Sequence, residues 1–195
     1  MKLIGVIGPI GGGKDTIADY LIQRHGYKKL SFATRVKDVA AVAFGWERTL
    51  LEGDTLTSRA WREEVDAFWN ITPRQALQRI GTEMFRGHIA DDFWLRIVEK
   101  QISESTAKGI VITDCRFENE IRLIQRLGGT IIQVQRHTPP TWAADAIQGL
   151  PFDSSYNVHI TEWNAWAFLK EAQYRVENSG TLDSLHETLS KMNIF

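Results

Sequence analysis

The sequence predicts an α/β fold in which a mainly parallel sheet is covered by helices on both faces. Short apolar runs rich in β-branched residues, typical of buried strands, alternate along the chain with segments whose apolar residues have helical spacing. A glycine-rich turn joins the first of these strands to the first helix. This alternation is typical of parallel strands that are connected by helical crossovers.

The length and composition fit one globular domain, residues 1–195, of which 43% are hydrophobic and 24% charged. A formal net charge of -1 argues against broad electrostatic binding to a DNA or RNA duplex, or to an anionic membrane. The single cysteine, Cys115, excludes an intrachain disulfide. No apolar stretch approaches the roughly 20 residues of a membrane span, and the first apolar run is too short for a signal peptide. We therefore expect a soluble, cytoplasmic protein.

The predicted elements follow in order along the chain. Strands are expected at 2–8, 28–32, 110–113, 130–135 and about 173–178, and helices at 14–25, around 121–127 and from about 182. Residues 34–107 have an almost wholly helical pattern, which includes a capping box at Thr72-Pro73-Arg74-Gln75. Residues 136–160 contain three prolines and no clear period. A long segment of this kind in a compact domain is usually functional or mobile.

The turn after the first strand, from Gly8 to Lys14, matches the phosphate-binding pattern G-x-x-x-x-G-K. Glycines let backbone N–H groups face phosphate oxygens, and the helix N-terminus adds positive potential. Lys14 would supply a charge for the β- and γ-phosphates of ATP. The alternative is a flexible turn with a surface lysine. We predict a nucleotide site that includes the four glycines of this turn, Gly8, Gly11, Gly12 and Gly13.

Asp15 follows the lysine at a position where this pattern usually has serine or threonine, and Thr16 comes next. A carboxylate beside a triphosphate is repulsive unless a cation lies between them. We therefore predict that Asp15, directly or through water, helps to hold Mg²⁺, with Thr16 nearby. The alternative is that Asp15 only stabilises the positive end of the helix.

An acid and an arginine, Asp114 and Arg116, follow the strand at 110–113. The carboxyl ends of parallel strands are where ligands bind in open α/β sheets. Asp114 could hold Mg²⁺ through water or orient an acceptor oxygen, and Arg116 could bind a phosphate bidentately. Alternatively, Arg116 forms an ion pair with Asp114, Glu118 or Glu120. Cys115 is interpreted as a small buried residue rather than a nucleophile.

The chain resembles the viral and bacterial deoxynucleoside monophosphate kinases, a family of P-loop kinases. The matching segments span nearly the whole chain in order: 13–16, 31–33 with Lys37, 72–83, 92–94, 113–120 and 178–181. The resemblance implies a P-loop NTPase three-layer fold with a five-stranded, mainly parallel sheet, formed by a core of residues 1–32, 108–135 and 161–195. It also implies a helical monophosphate-binding insertion at about 33–107 and a lid at about 136–160.

The family's activity implies transfer of the γ-phosphoryl group of ATP to the 5′-phosphate of a deoxynucleoside monophosphate, with Mg²⁺. By motif position, catalytic roles fall to Lys14, Asp114, Arg116 and the lid arginine Arg136. The other residues implied by motif position are Lys37, Arg74 and Arg86 for the acceptor phosphate, Gln78 and Trp94 for the base or deoxyribose, and Asn178 and Gly180 for the adenine loop.

Structural alternatives accompany these roles. Arg74 could be a solvated helix residue, Gln78 could cross-link helices, and Trp94 could be a core residue. His159 fits a structural role better than an acid or base role. Competing functions are a P-loop kinase of another phosphorylated metabolite, of the phosphomevalonate or dephospho-coenzyme A type, and a non-catalytic nucleotide-binding regulator. The sequence leaves homodimer formation open.

Overall fold

The computed structural model describes residues 1–136 and 138–195, which form two compact units. The sheet unit comprises Met1–Ser31 and Gln101–Phe195, and the helical unit comprises Phe32–Lys100. In chain order the elements are β1 (Lys2–Ile7), α1 (Lys14–His25), β2 (Lys28–Leu30), α2 (Thr34–Phe44), α3 (Leu56–Glu63), α4 (Pro73–Gln78), a π-helix (Arg79–Ile89), α5 (Phe93–Ser103), β3 (Gly109–Ile112), α6 (Glu118–Arg126), β4 (Thr130–Gln135), α7 (Ala143–Gln148), α8 (Ile160–Ala167), β5 (Tyr174–Glu177) and α9 (Leu182–Ser190).

All five strands are parallel, and they lie in the order β2-β3-β1-β4-β5. The register pairs Ile4 with Val111 of β3 and Gly5 with Ile131 of β4, so β1 lies at the centre. The chain first builds β2 and β3 on one side of β1 and then β4 and β5 on the other. The carboxyl end of β1 is therefore the point where the strand order reverses, which is the usual ligand site of such sheets. The predicted five-stranded α/β fold is confirmed.

Helices cover both faces of the sheet. On one face, α1 and α9 bury Ile17, Leu21 and Leu189 against strand residues such as Val6 and Ile132. On the other face, α6 lies so close that a Cβ on Gly5 would overlap the side chains of Ile124 and Ile131. This gives three layers, and it explains why a residue without a side chain stands in the central strand. In the described part of the chain, no helix has the length and apolar character needed to cross a membrane.

The segment that follows β4 has more regular structure than its sequence predicts. It contains α7 and a short 3₁₀ turn, and it leads into α8 at Ile160. The helix α7 has six residues and is followed by Gly149, which caps its C-terminus with φ of 80°. A helix this short offers less than two turns of apolar spacing, so no period could be recognised. It is held by packing against α8, where the rings of Trp142 and Trp163 stack with centroids 5.9 Å apart.

The helical unit has its own core around Val36, Leu51 and Trp94. The predicted capping box is confirmed: Thr72 Oγ1 accepts from Gln75 N and Gln75 Oε1 accepts from Thr72 N, each at 3.1 Å. The sequence did not predict that α4 continues as an 11-residue π-helix. π-Helices are rare and often accompany functional sites. The predicted insertion, 33–107, ends later in the chain than this unit does.

We expect Ile132→Ala to lower the free energy of unfolding by about 2–5 kcal/mol, because it leaves a cavity in the buried centre of the sheet. Ile132 has no exposed surface. The matched control is Ile147→Ala on α7, since Ile147 is 45% exposed and should change stability by about 0.5 kcal/mol or less. Urea titration followed by circular dichroism measures both, and equal losses would contradict the assigned core.

Candidate active site

The glycine-rich loop leaves the carboxyl end of β1 and ends at the first residue of α1, Lys14. Gly8, Gly11 and Gly13 have φ of 147°, 72° and 104°, a region that side chains disfavour. Lys14 Nζ donates to the carbonyl oxygens of Gly8 at 2.9 Å and Pro9 at 2.8 Å. Among the residues that the structure describes, no side chain caps the N-terminus of α1. Its first backbone N–H groups are therefore available to an anion.

The glycine-rich loop is held in place by a hydrogen bond from Asn178, which directly follows β5. The buried Asn178 side chain donates from Nδ2 to Gly12 O at 3.1 Å. A Cβ on Gly13 would overlap this same amide nitrogen, and a Cβ on Gly8 would overlap the carbonyl oxygen of Val134. Close approach of β4 and β5 thus requires glycine at both ends of the loop. The structure places Asn178, a predicted adenine-loop residue, against the phosphate-binding loop.

Asp15 lies in the first turn of α1 and receives two hydrogen bonds through one oxygen. Lys29 Nζ donates to Oδ1 at 2.8 Å and Thr113 Oγ1 donates to Oδ1 at 3.0 Å. Burial would raise the pKa of Asp15, but the hydrogen bond and charge of Lys29, together with the Thr113 bond, outweigh it and lower the pKa. In the described part of the chain, no hydrogen bond reaches Oδ2. Asp15 is therefore an ionised carboxylate whose side chain is 74% exposed, and Thr16 beside it is half-buried.

Charges of both signs surround Lys14. Burial, and then the nearby positive charge of Arg116, lower the pKa of Lys14. The carboxylates of Glu162, Asp15 and Asp114 act in the opposite direction. The loop from β1, the turn after β3 and the start of α8 therefore bring their charged groups to one place at the carboxyl edge of the sheet. Such a cluster of opposed charges is typical of functional sites.

The turn after β3 presents Asp114 and Arg116. Ser31, which follows β2, donates from Oγ to Asp114 Oδ2 at 2.7 Å. The guanidinium of Arg116 contacts α8, since Nη1 lies 3.3 Å from Thr161 Oγ1 and 3.4 Å from Glu162 Oε1. The alternatives weighed from sequence paired this guanidinium with an acid of its own segment, whereas the acid that it contacts lies on α8.

The buried Glu120 fixes the backbone of this turn. Its Oε2 accepts from Arg116 N at 2.6 Å and from Phe117 N at 3.0 Å, and only 2% of Glu120 is exposed. As the third residue of α6, Glu120 satisfies N–H groups that the helix start would leave unpaired. Cys115 is 5% exposed, and burial, with the negative charges of Glu120 and Asp114, raises its pKa well above the usual range. This agrees with a structural cysteine.

Two further predicted residues lie in turns at the same edge of the sheet. Arg136 is exposed and directly follows β4. Gly180 lies in the turn between β5 and α9, where a Cβ would meet Ser184 Oγ of the first turn of α9. In the described residues, no three His, Cys, Asp or Glu side chains form a group that could hold a metal ion by themselves.

The three basic residues predicted to bind the acceptor phosphate belong to the helical unit, and each has an acidic neighbour. Lys37 pairs with Glu52, and Arg74 Nη1 lies 2.9 Å from Glu63 Oε1. Arg86, in the π-helix, has a side chain that is only 5% exposed. It donates to the backbone oxygen of Asp91 at 3.0 Å and lies 3.6 Å from that carboxylate.

Trp94 and Gln78, the predicted base or deoxyribose contacts, also lie in the helical unit. Trp94 is 3% exposed, and its Nε1 donates to Gly81 O of the π-helix at 2.9 Å. Gln78 is half-buried at the end of α4. Trp94 also borders an apolar groove of about 510 Å³, whose other lining residues are Arg35, Asp38, Val39, Val42, Ala43, Phe85, Phe93 and Ile97. Trp94 is thus both a core residue and part of a groove wall.

Several residues that build the site were not singled out as site residues from the sequence. Each holds a predicted residue: Lys29 and Thr113 hold Asp15, Ser31 holds Asp114, and Thr161 and Glu162 hold Arg116. Ser31 and Thr113 directly follow β2 and β3, and such strand ends were the available signal, whereas Lys29 lies within β2. The sequence contained no signal that Thr161 and Glu162 contact Arg116, because this partner is 45 and 46 residues away from them in sequence.

Comparison with known proteins gives a consistent result. The family model for deoxynucleotide monophosphate kinase matches residues 61–189. A protein of Acanthamoeba polyphaga mimivirus, provisionally assigned as a deoxynucleotide monophosphate kinase, is 31% identical over 152 residues, covering 70% of this chain and 75% of the relative. The deoxynucleoside-5′-monophosphate kinase of Escherichia phage T5 is 42% identical over 178 residues, covering 63% of this chain and 71% of the relative.

The solved structures that match this chain are more distant in sequence. The Thermus thermophilus protein TT1252 is 19% identical with a TM-score of 0.48, and the alignment covers 97% of this chain and 94% of that one. A dephospho-CoA kinase from Campylobacter jejuni is 17% identical with a TM-score of 0.46, at coverages of 97% and 94%.

We expect Gly13→Ala to destabilise the protein more than a positive φ alone would. Gly149 provides the matched control, because it has φ of 80° but no atom within 4 Å of the position that a Cβ would take. Gly149→Ala should therefore lose only the backbone term, about 1–2 kcal/mol. Gly13→Ala should lose more in the same urea titration, because the new methyl overlaps Asn178. Equal losses in the free energy of unfolding would contradict this expectation, because they would mean that the loop accommodates the methyl group without further loss of stability.

We expect the Cys115 thiol to resist thiol–disulfide exchange in the native protein, because its raised pKa keeps it protonated and burial excludes reagents. With a disulfide reagent at pH 8, the native protein should react slowly. In denaturant one thiol per chain should react rapidly, because the chain has a single cysteine. Rapid reaction without denaturant would contradict the closed packing of the turn after β3.

Proposed function

Because the chain belongs to the deoxynucleotide monophosphate kinase family, it is a kinase of deoxynucleoside monophosphates, and we propose that ATP donates its γ-phosphoryl group to the acceptor's 5′-phosphate, giving ADP and a deoxynucleoside diphosphate. The observation that carries the proposal is that the positive charges of Lys14 and Arg116 lie close together at the N-terminus of α1. No side chain of the described residues caps that N-terminus. ATP and deoxynucleotides are cytoplasmic metabolites, so we place the reaction in the cytoplasm.

The phosphates of ATP would bind in the glycine loop. Its backbone N–H groups and the N-terminus of α1 favour a polyanion. Lys14 would leave the carbonyl oxygens of Gly8 and Pro9 and donate to the β- and γ-phosphates instead. Asn178 would act by keeping Gly12 in place, so that the loop meets the phosphates in one conformation. Gly180, in the next turn, remains our candidate for the adenine side.

Transfer requires that the negative charge on the moving phosphoryl group be neutralised at both ends of its path. We assign this to Lys14, Arg116 and Arg136. The Arg116 side chain is 42% exposed, so an incoming phosphate can reach it. Asp114, held by Ser31, would orient the acceptor oxygen or a metal-bound water. Segment 136–160 would exclude water, which otherwise competes with the acceptor.

The residues at Asp15 fit a magnesium ion. Mg²⁺ takes oxygen ligands and commonly uses one or two carboxylates together with substrate phosphates and waters. Asp15 offers an ionised carboxylate on an exposed side chain, and Thr16 adds a hydroxyl in the same helical turn. When bound, Mg²⁺ would neutralise charge that develops on the phosphate oxygens.

Acceptor binding is assigned to the helical unit. Lys37 and Arg74 are each paired with an exposed or half-exposed carboxylate, which an acceptor phosphate could replace. Arg86 is more enclosed and would keep its bond to Asp91 O while it contributes charge. Gln78 and Trp94 are the candidates to contact the base or deoxyribose, and the groove beside Trp94 provides apolar surface for a ring.

An acceptor panel tests the function directly. Purified enzyme, ATP and Mg²⁺ are mixed with each deoxynucleoside monophosphate, the matching ribonucleotides, phosphomevalonate and dephospho-coenzyme A, and ADP release is followed. We expect release with at least one deoxynucleoside monophosphate. Release with only another metabolite would reassign the acceptor, and ATP binding without acceptor-dependent release would indicate a regulator.

We expect Lys14→Ala and Arg116→Ala each to lower kcat on the order of 10²-fold or more, because each removes a charge that stabilises the transition state. The matched controls are Lys191→Ala and Arg122→Ala, which remove exposed cations from helical surface pairs and should keep nearly full turnover. Steady-state kinetics with the responding acceptor gives kcat and KM. Folded variants with wild-type kcat would remove Lys14 or Arg116 from the mechanism.

A further inference from the structure

We propose that the first turn of α8 positions Arg116 for phosphoryl transfer, with Thr161 and Glu162 as positioning residues. The inference rests on the proposed function, because it takes Arg116 as a group that contacts the transferred phosphoryl. Its physical basis is the pair of contacts from Arg116 Nη1 to Thr161 Oγ1 at 3.3 Å and to Glu162 Oε1 at 3.4 Å.

Both contacts use the same nitrogen of the guanidinium. Arginine has five N–H donors arranged as a planar fork. Within the part of the chain that the structure describes, Nε and Nη2 of Arg116 make no hydrogen bond. The helix therefore holds one corner of the fork and leaves its other donors to a ligand. This arrangement suits bidentate binding of a phosphate.

The backbone of Arg116 is already fixed on both sides. Its N–H donates to the buried Glu120, and its carbonyl oxygen accepts from Asn164 Nδ2 at 2.9 Å. Asn164 belongs to α8 and is 9% exposed. The remaining freedom is that of the long side chain, which can adopt many rotamers. Thr161 and Glu162 reduce that freedom before substrate binds, which is how positioning lowers a barrier.

His159 determines how the Thr161 hydroxyl is oriented. Thr161 N donates to His159 Nδ1 at 3.2 Å, so Nδ1 is an acceptor. The Thr161 hydroxyl lies 2.8 Å from the same nitrogen and therefore donates its proton to it. The oxygen lone pairs remain for Arg116. The sequence His159-Ile160-Thr161-Glu162, which starts α8, thus serves both as helix cap and as holder of the arginine.

Glu162 adds a charge that serves positioning but opposes phosphate binding. Its carboxylate pairs with Arg116 and also acts on Lys14, whose pKa it raises against the effect of burial. A carboxylate at this place repels an incoming polyanion. Removing its charge should therefore leave ATP affinity unchanged or improved while turnover falls. A residue that only stabilised the fold would not separate the two constants in this direction.

The test is a double-mutant cycle. Thr161→Val, Thr161→Ser and Glu162→Gln are made in the wild-type protein and in the Arg116→Ala variant. Thr188→Val and Glu187→Gln on α9 serve as matched controls, because both remove equivalent groups from an exposed helix. Steady-state kinetics with ATP and the responding acceptor is measured for each, and thermal denaturation checks folding.

In the wild-type background we expect Thr161→Val and Glu162→Gln each to lower kcat by about tenfold, with KM for ATP unchanged or lower. Thr161→Ser, which retains the hydroxyl, should keep most of the activity. In the Arg116→Ala background the same changes should have about twofold effects or less, because the group that they position is gone.

Two results would overturn the inference: wild-type kcat in both Thr161→Val and Glu162→Gln, or losses that persist in full without Arg116. Wild-type kcat in Arg116→Ala alone would instead overturn the assignment of Arg116 under the proposed function, and the inference would fall with it. If the Thr161→Val variant does not fold, the Glu162→Gln variant still tests the inference, because Glu162 is only half-buried. A lower kcat with an unchanged or lower KM for ATP would support the inference, and a wild-type kcat would contradict it.

Discussion

The close approach of β4 and β5 to the glycine loop is the constraint on which the rest of the site depends. Val134 O occupies the position that a Cβ on Gly8 would take, and the Asn178 amide occupies the position that a Cβ on Gly13 would take. Only glycine therefore fits at these two positions. The same contact, through Gly12 O, fixes where α1 begins. Lys14 and Asp15 are thereby placed at the carboxyl end of the central strand, within reach of the turns that follow β2 and β3. The packing of β4 and β5 against the loop therefore determines both which residues the loop can contain and where it lies on the sheet.

The distribution of charge reconciles a net charge of -1 with the binding of polyanions. Three cations of the site have an internal acceptor: Lys14 donates to loop carbonyls, Lys29 pairs with Asp15, and Arg116 pairs with Glu162. The internal partners offset part of the repulsion between the basic groups. Under the proposed function, phosphates would replace those internal partners, and this would favour ligands that satisfy several cations at once.

The sequence was informative where one local rule decided the structure. Strand alternation and the glycine-rich turn predicted the fold class and the loop between β1 and α1, both of which the structure contains, and the capping box at Thr72 lies at its predicted position. The rest depends on contacts between distant segments. The pairing of Arg116 with Glu162 follows from where α8 docks, and the burial of Arg86 follows from a wide helical turn, neither of which has a local period. Individual ligand roles remain predictions, because they depend on side-chain geometry that spacing does not determine.

The π-helix makes the helical unit sensitive to chain length. Its backbone bonds join residues five apart, as between Ala90 N and Phe85 O, and Arg86 meets Asp91 at the same interval. Removal of a single residue between 79 and 89 would let the segment rewind with α-helical spacing. Every side chain beyond the deletion would then rotate to a different face, and the arginine would lose its acceptor. A one-residue gap within 79–89 in a related sequence would therefore change which side chains of this segment face the core of the helical unit.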